Sequence, residues 1–175
     1  MNSKNIILKI EIGSTILVMI FGVLLHFLYE WSSNNSFVGI FSPVNESVWE
    51  HLKLIFYPLV LQIVIAYFYE QKHIENYLYA KTLALIISLC FVVIFYYTYS
   101  GIIGTNITFI DISTFFIAIL LSEYIFYKNV QTEKNTSKYV SLTILSIIFV
   151  MFLLFTFITP TINLFKDPIT GTFGI

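Results

Sequence analysis

The sequence predicts an all-α, polytopic membrane protein built as a bundle of five transmembrane helices. Hydrophobic residues make up 58% of the 175 residues and charged residues only 11%, which lies outside the composition of soluble globular domains. Apolar residues also group into runs of roughly 20, the length that crosses the hydrocarbon core of a bilayer. The five predicted spans are 6–29, 43–69, 79–99, 107–127 and 139–160, followed by a tail at 161–175. The loops between them are short, so residues 1–175 are predicted to form a single integral membrane domain.

Lysine positions predict the orientation, because the cytoplasmic loops of membrane proteins collect basic residues. The amino terminus, the second loop and the fourth loop hold seven of the nine basic residues: Lys4, Lys9, Lys72, Lys81, Lys128, Lys134 and Lys138. Only Lys53 and Lys166 fall on the other side. We therefore expect the amino terminus in the cytoplasm, the carboxyl terminus outside, and the protein in the cell membrane. A net charge of −1 without any arginine excludes a nucleic-acid surface and leaves the lipid bilayer as the predicted partner.

The first span is predicted to be an uncleaved helix that ends with two polar side chains. Its apolar run is long for a signal-peptide core and lacks a small-residue cleavage pattern. His26 and Glu30 are four residues apart, which places them on one face of a helix. An imidazole and a carboxylate at this spacing can ligate one metal ion or form a proton-relay pair. An interfacial hydrogen bond is the simpler interpretation of the pair.

The second span has two alternative starts. In one, Ser42 is the N-cap and Pro43 takes the first helical position. In the other, Ser47 and Glu50 form a capping box. The two starts give Glu50 different roles, because in the capping box its carboxylate folds back onto the Ser47 amide.

With a start at Pro43, four polar residues share one helix face within an arc of about 60°. They are Glu46, Glu50, Lys53 and Tyr57. His51 then points about 100° away from Glu50. Charged residues at membrane depth cost about 2.5–3.5 kcal/mol each, so they persist as pairs or at sites. Two interpretations stay open: an ion pair between Glu50 and Lys53 that anchors the helix end, or a catalytic site formed by Glu50, His51 and Glu46.

The third span is apolar, and the fourth contains two carboxylates. Cys90, in the third span, is interpreted as a small core hydrophobe. Asp111 and Glu123 are separated by 11 uncharged residues, about 17 Å of helix, so at least one of them lies in the membrane region. Asp111 falls at the outer end, where it joins His26 and Glu30 as a candidate metal ligand; stabilisation by the helix amino terminus is the alternative. Glu123 is expected to reach towards the cytoplasm.

The fifth span is followed by a tail with turn signals. The Asp-Pro pair at 167–168 and the Thr-Gly pair at 170–171 are typical of tight turns. The tail is too apolar for a solvated end, since it also contains Phe165, Phe173 and Ile175. We expect it to fold back as a lid over the outer site and to bring Asp167 near the first loop.

Two motifs carry a resemblance to a known family. They are SPVNESxWEHLK, which begins at Ser42, and DPxTG, which begins at Asp167. With these motifs the whole chain resembles a family of small uncharacterised prokaryotic multi-pass membrane proteins. The resemblance implies a polytopic fold and a prokaryotic cell membrane, and it assigns no catalytic role to any residue.

Three functions stay open at this point. The first is a membrane hydrolase or transferase on a lipid-like substrate, with a divalent metal as the candidate cofactor. The second is a module that binds or transports a small solute or cation; without an internal repeat, it would need a homo-oligomer or a partner membrane subunit. The third is a structural accessory subunit whose charges only set the helix packing. The sequence favours the enzyme over the transporter by a small margin.

Overall fold

A computed structural model describes residues 3–70, 76–130 and 137–175, and these residues are predominantly helical. The helices are α1 Ser3–Trp31, α2 Ser36–Gly39, α3 Val48–Glu70, α4 Tyr77–Ile103, α5 Thr108–Asn129 and α6 Lys138–Phe157. All except the short α2 are long and apolar enough to cross a membrane. The predicted all-α fold with five membrane-spanning helices is confirmed, and the orientation of its termini stays a prediction.

The second long helix begins later than the earlier of its two predicted starts. It begins at Val48 rather than at Pro43, so the structure has the start that follows Ser47. The preceding loop contains the one-turn helix α2, whose N-cap Asn35 accepts the Phe37 N–H at 2.9 Å. Because α3 starts at Val48, Glu46 lies in the loop and not on the polar face of the helix.

Helix α3 is the centre of the bundle. Of the residues in its membrane-spanning segment, 61% are buried, against 22% in the segment of α1 and 17% in that of α6. Ile55, Phe56 and Leu59 in its middle are each no more than 2% exposed. Since the polar start of this helix is enclosed by other elements, its charged side chains must find partners inside the protein.

A close contact joins α1 to α3 beside Pro58. Proline has no N–H, so the carbonyl of Leu54 lacks its usual helical partner. Gly22 of α1 lies against this carbonyl: a Cβ at that position would be 2.7 Å from the Leu54 oxygen and 2.6 Å from Cζ of Phe115. The approach of the two helices therefore depends on glycine.

Candidate metal centre

Ser42 attaches the first loop to α1 beside His26. Its hydroxyl donates to the Leu25 carbonyl and accepts the Tyr29 N–H at 3.1 Å. These two backbone groups stand four residues apart, so the hydroxyl is inserted into the hydrogen-bond ladder of α1. Ser42 is fully buried. It acts as a tie between the loop and α1, and not as the N-cap of α3.

Ser47 caps α3 and fixes the direction in which the helix leaves the loop. Its hydroxyl accepts the Glu50 N–H at 3.3 Å, and the Asn45 side chain accepts the Ser47 N–H at 3.0 Å. The Glu50 carboxylate accepts the Val44 N–H at 3.1 Å instead of folding back onto Ser47. The predicted capping box is therefore half formed.

Glu50 and Lys53 form a buried ion pair with an N–O distance of 2.5 Å. The Lys53 ammonium also donates to the Gly39 carbonyl at 2.8 Å and to the Thr156 hydroxyl at 2.7 Å. These three acceptors, all in close contact, match the three N–H donors of an ammonium group. The contacts join the first loop, α3 and α6 at a single point.

The burial of this pair favours the ion-pair interpretation of Glu50. Lys53 is 0% exposed and Glu50 is 2% exposed. Charges so far from solvent must be paired and hydrogen-bonded, because the cost of burying them alone exceeds several kcal/mol. A carboxylate enclosed in this way holds structure together and offers no surface to a substrate.

His26, Glu46 and His51 converge beside the ion pair. His51 Nε2 lies 3.4 Å from Glu46 Oε2, and the His26 and His51 ring centroids are 5.2 Å apart. One ligand atom from each of the three residues lies within 4.8 Å of the other two. The His51 and Glu46 side chains are 31% and 45% exposed. In contrast to the ion pair, this group is accessible from outside the bundle.

The group has the donors and the spacing that a metal ion requires. His51 Nδ1 lies 3.0 Å from the Ser47 carbonyl, which only accepts, so Nδ1 donates to it and Nε2, on the side of Glu46, is the ring nitrogen left to bind an ion. Two ligand atoms bound to one Zn²⁺ at about 2.1 Å and a tetrahedral angle lie about 3.4 Å apart. The observed Nε2–Oε2 distance has this value.

His26 supplies a second imidazole with an unmet hydrogen-bonding requirement. Its Nδ1 is buried and has no hydrogen-bond partner in the part of the chain that the structure describes. Two imidazoles and one carboxylate form a donor set for zinc or another divalent transition metal. The residues present therefore fit such an ion.

The structure does not bring Glu30 and Asp111 into this group. The Glu30 side chain is exposed at the end of α1. Asp111 accepts hydrogen bonds from the Tyr99 hydroxyl and from the Asn106 side chain, the latter at 3.1 Å. Its carboxylate thus joins α4 to the start of α5. The residues that lie beside His26 are instead two of the predicted catalytic residues, Glu46 and His51.

A second buried polar cluster lies at the opposite end of the bundle. The Lys81 ammonium binds the carboxylates of Glu11 and Glu123, the latter at 3.0 Å, and lies 4.1 Å from the centre of the Phe126 ring. Gln62 donates to Glu11 at 3.1 Å. Residues from α1, α3, α4 and α5 are thereby held together.

Sequence reasoning missed this cluster. It counted Lys81 as a loop lysine, whereas Lys81 lies in α4 and is 1% exposed. Glu123 was expected only to reach towards the cytoplasm, whereas its carboxylate pairs with Lys81. The available signal was Glu11, because a carboxylate within an apolar span requires a partner from another helix. Lys72 and Lys134, which were counted in the same loops, lie outside the described residues.

The described chain is a helical bundle with five helices long and apolar enough to cross a membrane and with buried charge pairs at both of its ends. The chain belongs to the family of unknown function DUF6512, whose sequence profile matches residues 1–175. No curated protein and no solved structure matches it.

Proposed function

We propose that this protein binds a divalent transition metal through His26, Glu46 and His51 and acts as a metal-dependent membrane enzyme on a lipid-like substrate. The observation that carries the proposal is the 3.4 Å distance between His51 Nε2 and Glu46 Oε2. Hydrogen bonding of His51 Nδ1 to the Ser47 carbonyl turns Nε2 towards Glu46. The lysine distribution predicts that this end of the bundle faces the outer side of the cell membrane.

Some side chains would bind the ion directly, and others fix the positions of those ligands. A divalent ion with three protein ligands supplies Lewis-acid activation at its remaining coordination position. Glu46 reaches the site from the loop, and His51 reaches it from the first turn of α3. The Glu50–Lys53 pair binds the loop to α3 and so fixes the positions of both ligands.

The surface beside His26 supports a lipid-like substrate. The Phe27 ring lies edge-on to His26 with centroids 5.0 Å apart, and Phe27 stacks with Trp31 at 5.8 Å. Phe27 is 41% exposed and Trp31 is 66% exposed. Aromatic side chains at a helix end suit the boundary between headgroups and hydrocarbon. A substrate with an apolar part against these rings would present its polar group to the metal site.

The experiment is the metal content of the detergent-purified protein, prepared without chelators or a metal-affinity column. We expect close to one equivalent of a transition metal in the wild type and its loss in His26→Ala and in His51→Ala. His73→Ala is the matched control, since this third histidine follows the carboxyl end of α3 in the sequence, whereas His51 lies in the first turn of that helix. It should retain the metal.

Absence of metal from the folded wild type, even after incubation with Zn²⁺, would contradict the proposal. The His51–Glu46 contact would then be an ordinary ion pair at the bundle surface, and screening for organic ligands would follow. Equal loss of metal in all three variants, including His73→Ala, would also count against the assigned ligands.

A further inference from the structure

The tail that follows α6 returns to the loop that carries Glu46. Phe165 is 4% exposed and packs against Trp49, with ring centroids 4.9 Å apart. The Asn45 side-chain amide donates to the Gly174 carbonyl at 3.0 Å. The predicted return of the tail to the first loop is confirmed by these contacts, one with the first turn of α3 and one with the loop itself.

Asp167 folds the tail by closing a tight turn within it. Its carboxylate accepts the Ile169 N–H at 2.7 Å and the Thr170 hydroxyl at 2.8 Å. Its backbone N–H donates to the Thr172 carbonyl at 2.9 Å. The DPxTG motif is thus a turn that shapes the tail, and the hydrogen bond from the loop is accepted further along it, at Gly174.

The end of the tail is held against the end of α6. The Ile175 N–H donates to the Thr156 carbonyl at 3.4 Å. Gly174 has a φ of +64°, and a Cβ at this position would collide with Thr159 Oγ1 and lie 2.9 Å from the Thr156 carbonyl oxygen. This close approach requires glycine. The Gly174 carbonyl therefore meets Asn45 from a fixed position.

The Asn45 side chain spans the proposed ligand Glu46. Its oxygen accepts the Ser47 N–H at 3.0 Å, which makes Glu46 the middle residue of an Asx turn. Its nitrogen donates to the Gly174 carbonyl. Because an N–H only donates and a carbonyl only accepts, the two partners fix which way the amide points. One side chain thus joins the tail to the loop on both sides of Glu46.

Ser47 extends the same constraint to His51. The Ser47 carbonyl lies 3.0 Å from His51 Nδ1, and the Ser47 hydroxyl accepts the Glu50 N–H at 3.3 Å. Ser47 is 1% exposed, so it has little room to shift. The hydrogen bond between Asn45 and Ser47 therefore bears on two proposed ligands, on Glu46 by enclosing it and on His51 through the Ser47 carbonyl.

We infer that Asn45 is a positioning residue: it couples the tail to Glu46 and His51 and so sets the affinity and the geometry of the metal site. This inference rests on the proposed function. A ligand on a loop must be ordered when the ion binds, and a loop that is already held loses less freedom at that step. Removal of groups that orient metal ligands typically lowers metal affinity by about 10–100-fold.

Three variants of the full chain in detergent separate the two hydrogen bonds of Asn45. Asn45→Ala removes both of them. Asn45→Ser keeps a hydroxyl that can accept the Ser47 N–H but is too short to reach Gly174. Gly174→Ala disturbs the tail contact without changing any residue of the loop. Asn163→Ala is the matched control, because Asn163 is exposed in the same tail.

Two measurements are made on each metal-free protein. Co²⁺ is titrated in, and its visible absorption spectrum reports affinity and ligand geometry. Amide hydrogen exchange of residues 45–51 is followed by mass spectrometry before any metal is added, so it reports how firmly the loop and the start of α3 are held.

We expect Asn45→Ala to bind Co²⁺ about 10–100-fold more weakly than wild type, with an altered spectrum and faster exchange at residues 45–51. Asn45→Ser should recover part of the affinity, because it keeps the bond to Ser47. Gly174→Ala should change affinity, spectrum and exchange in the same direction as Asn45→Ala, and Asn163→Ala should match wild type. Should Asn45→Ala fail to fold, Asn45→Ser and Gly174→Ala are compared with wild type in its place.

Two results would overturn the inference and are distinct from failure of the proposed function. If wild type binds Co²⁺ and the folded Asn45→Ala protein binds it equally well with the same spectrum, Asn45 does not position the ligands. If the affinity falls while exchange at residues 45–51 stays at the wild-type rate, the loss does not arise from release of this segment.

If wild type binds no Co²⁺, the proposed function fails, and the exchange measurement alone decides what Asn45 does. An unchanged rate in Asn45→Ala would overturn its hold on residues 45–51, and a faster rate would support it.

Discussion

Breaking the buried ion pair tests whether Glu50 and Lys53 hold this end of the bundle together. In Lys53→Met, the Glu50 carboxylate stays enclosed at 2% exposure without its cation, and the Gly39 carbonyl and Thr156 hydroxyl lose a donor. Removing one partner of a buried pair costs about 3–5 kcal/mol, because the remaining charge is left uncompensated. Such a loss is a large share of the stability of a single domain.

The assay is equilibrium unfolding in detergent micelles, followed by circular dichroism during titration with SDS. Lys128→Met is the matched control, because Lys128 is exposed in the last turn of α5. Its replacement should cost less than about 1 kcal/mol. The double variant Lys53→Met/Glu50→Leu removes both charges and should regain most of the stability that the single variant loses, since no isolated charge is left buried.

A Lys53→Met protein as stable as Lys128→Met would refute this reasoning. So would a double variant whose loss equals the sum of its two single variants, because independent effects would mean that the two side chains do not interact.

Three further predictions concern other parts of the fold. Gly22→Ala should lower the free energy of unfolding by about 1–3 kcal/mol, because its Cβ would meet Phe115 and a backbone carbonyl within 2.7 Å; SDS titration measures the loss. Lys81→Met should lower the free energy of unfolding by about 3–5 kcal/mol, because it leaves the carboxylate of Glu123 without its partner. Since the Lys81 and Lys53 pairs lie at opposite ends of the bundle, the losses in Lys81→Met and Lys53→Met should add within about 0.5 kcal/mol in the double variant. The pKa of Asp167 is held below its ordinary value of 3.8 although burial acts to raise it. Its contribution to the free energy of unfolding is therefore present above that pH and is lost as the pH falls through the lowered value, so on acidification below about pH 4 the wild type should lose stability more steeply than Asp167→Asn.

The helical bundle could be predicted from the sequence because each of its spans can be recognised independently of the others. Each span is a run of about 20 apolar residues, and no tertiary information is needed to recognise it. The start of α3 was less certain, because Ser42-Pro43 and Ser47 both carry good helix-start chemistry. Tertiary contact decides between them: the Ser42 hydroxyl binds α1 and is no longer available to cap α3.

Which residues form the candidate site depends on where α3 begins. A helix starting at Pro43 would align Glu46 with Glu50, whereas the observed start at Val48 leaves Glu46 in the loop, where it contacts His51. His26 could be placed at the correct helix end from its position in the first span. Which carboxylate would approach it could not be predicted, since that depends on how the loop folds back over α1.

The Lys81 cluster shows a different limit of sequence reasoning. Counting lysines by loop assumes that a lysine near a helix end faces water. Lys81 lies four residues inside α4, and whether it turns outward or inward depends on the partners that other helices offer. Glu11 and Glu123 provide those partners, and no local pattern in the sequence links the three residues.

X-ray absorption at the zinc edge shows directly whether His26, Glu46 and His51 form one metal site. The full protein is loaded with one equivalent of Zn²⁺ and measured in detergent. We expect two imidazole ligands at about 2.0–2.1 Å, with the remaining donors oxygen at about 2.0–2.2 Å. A thiolate sulfur ligand near 2.3 Å, which only Cys90 could supply in this chain, or a spectrum with fewer than two imidazoles would contradict this assignment.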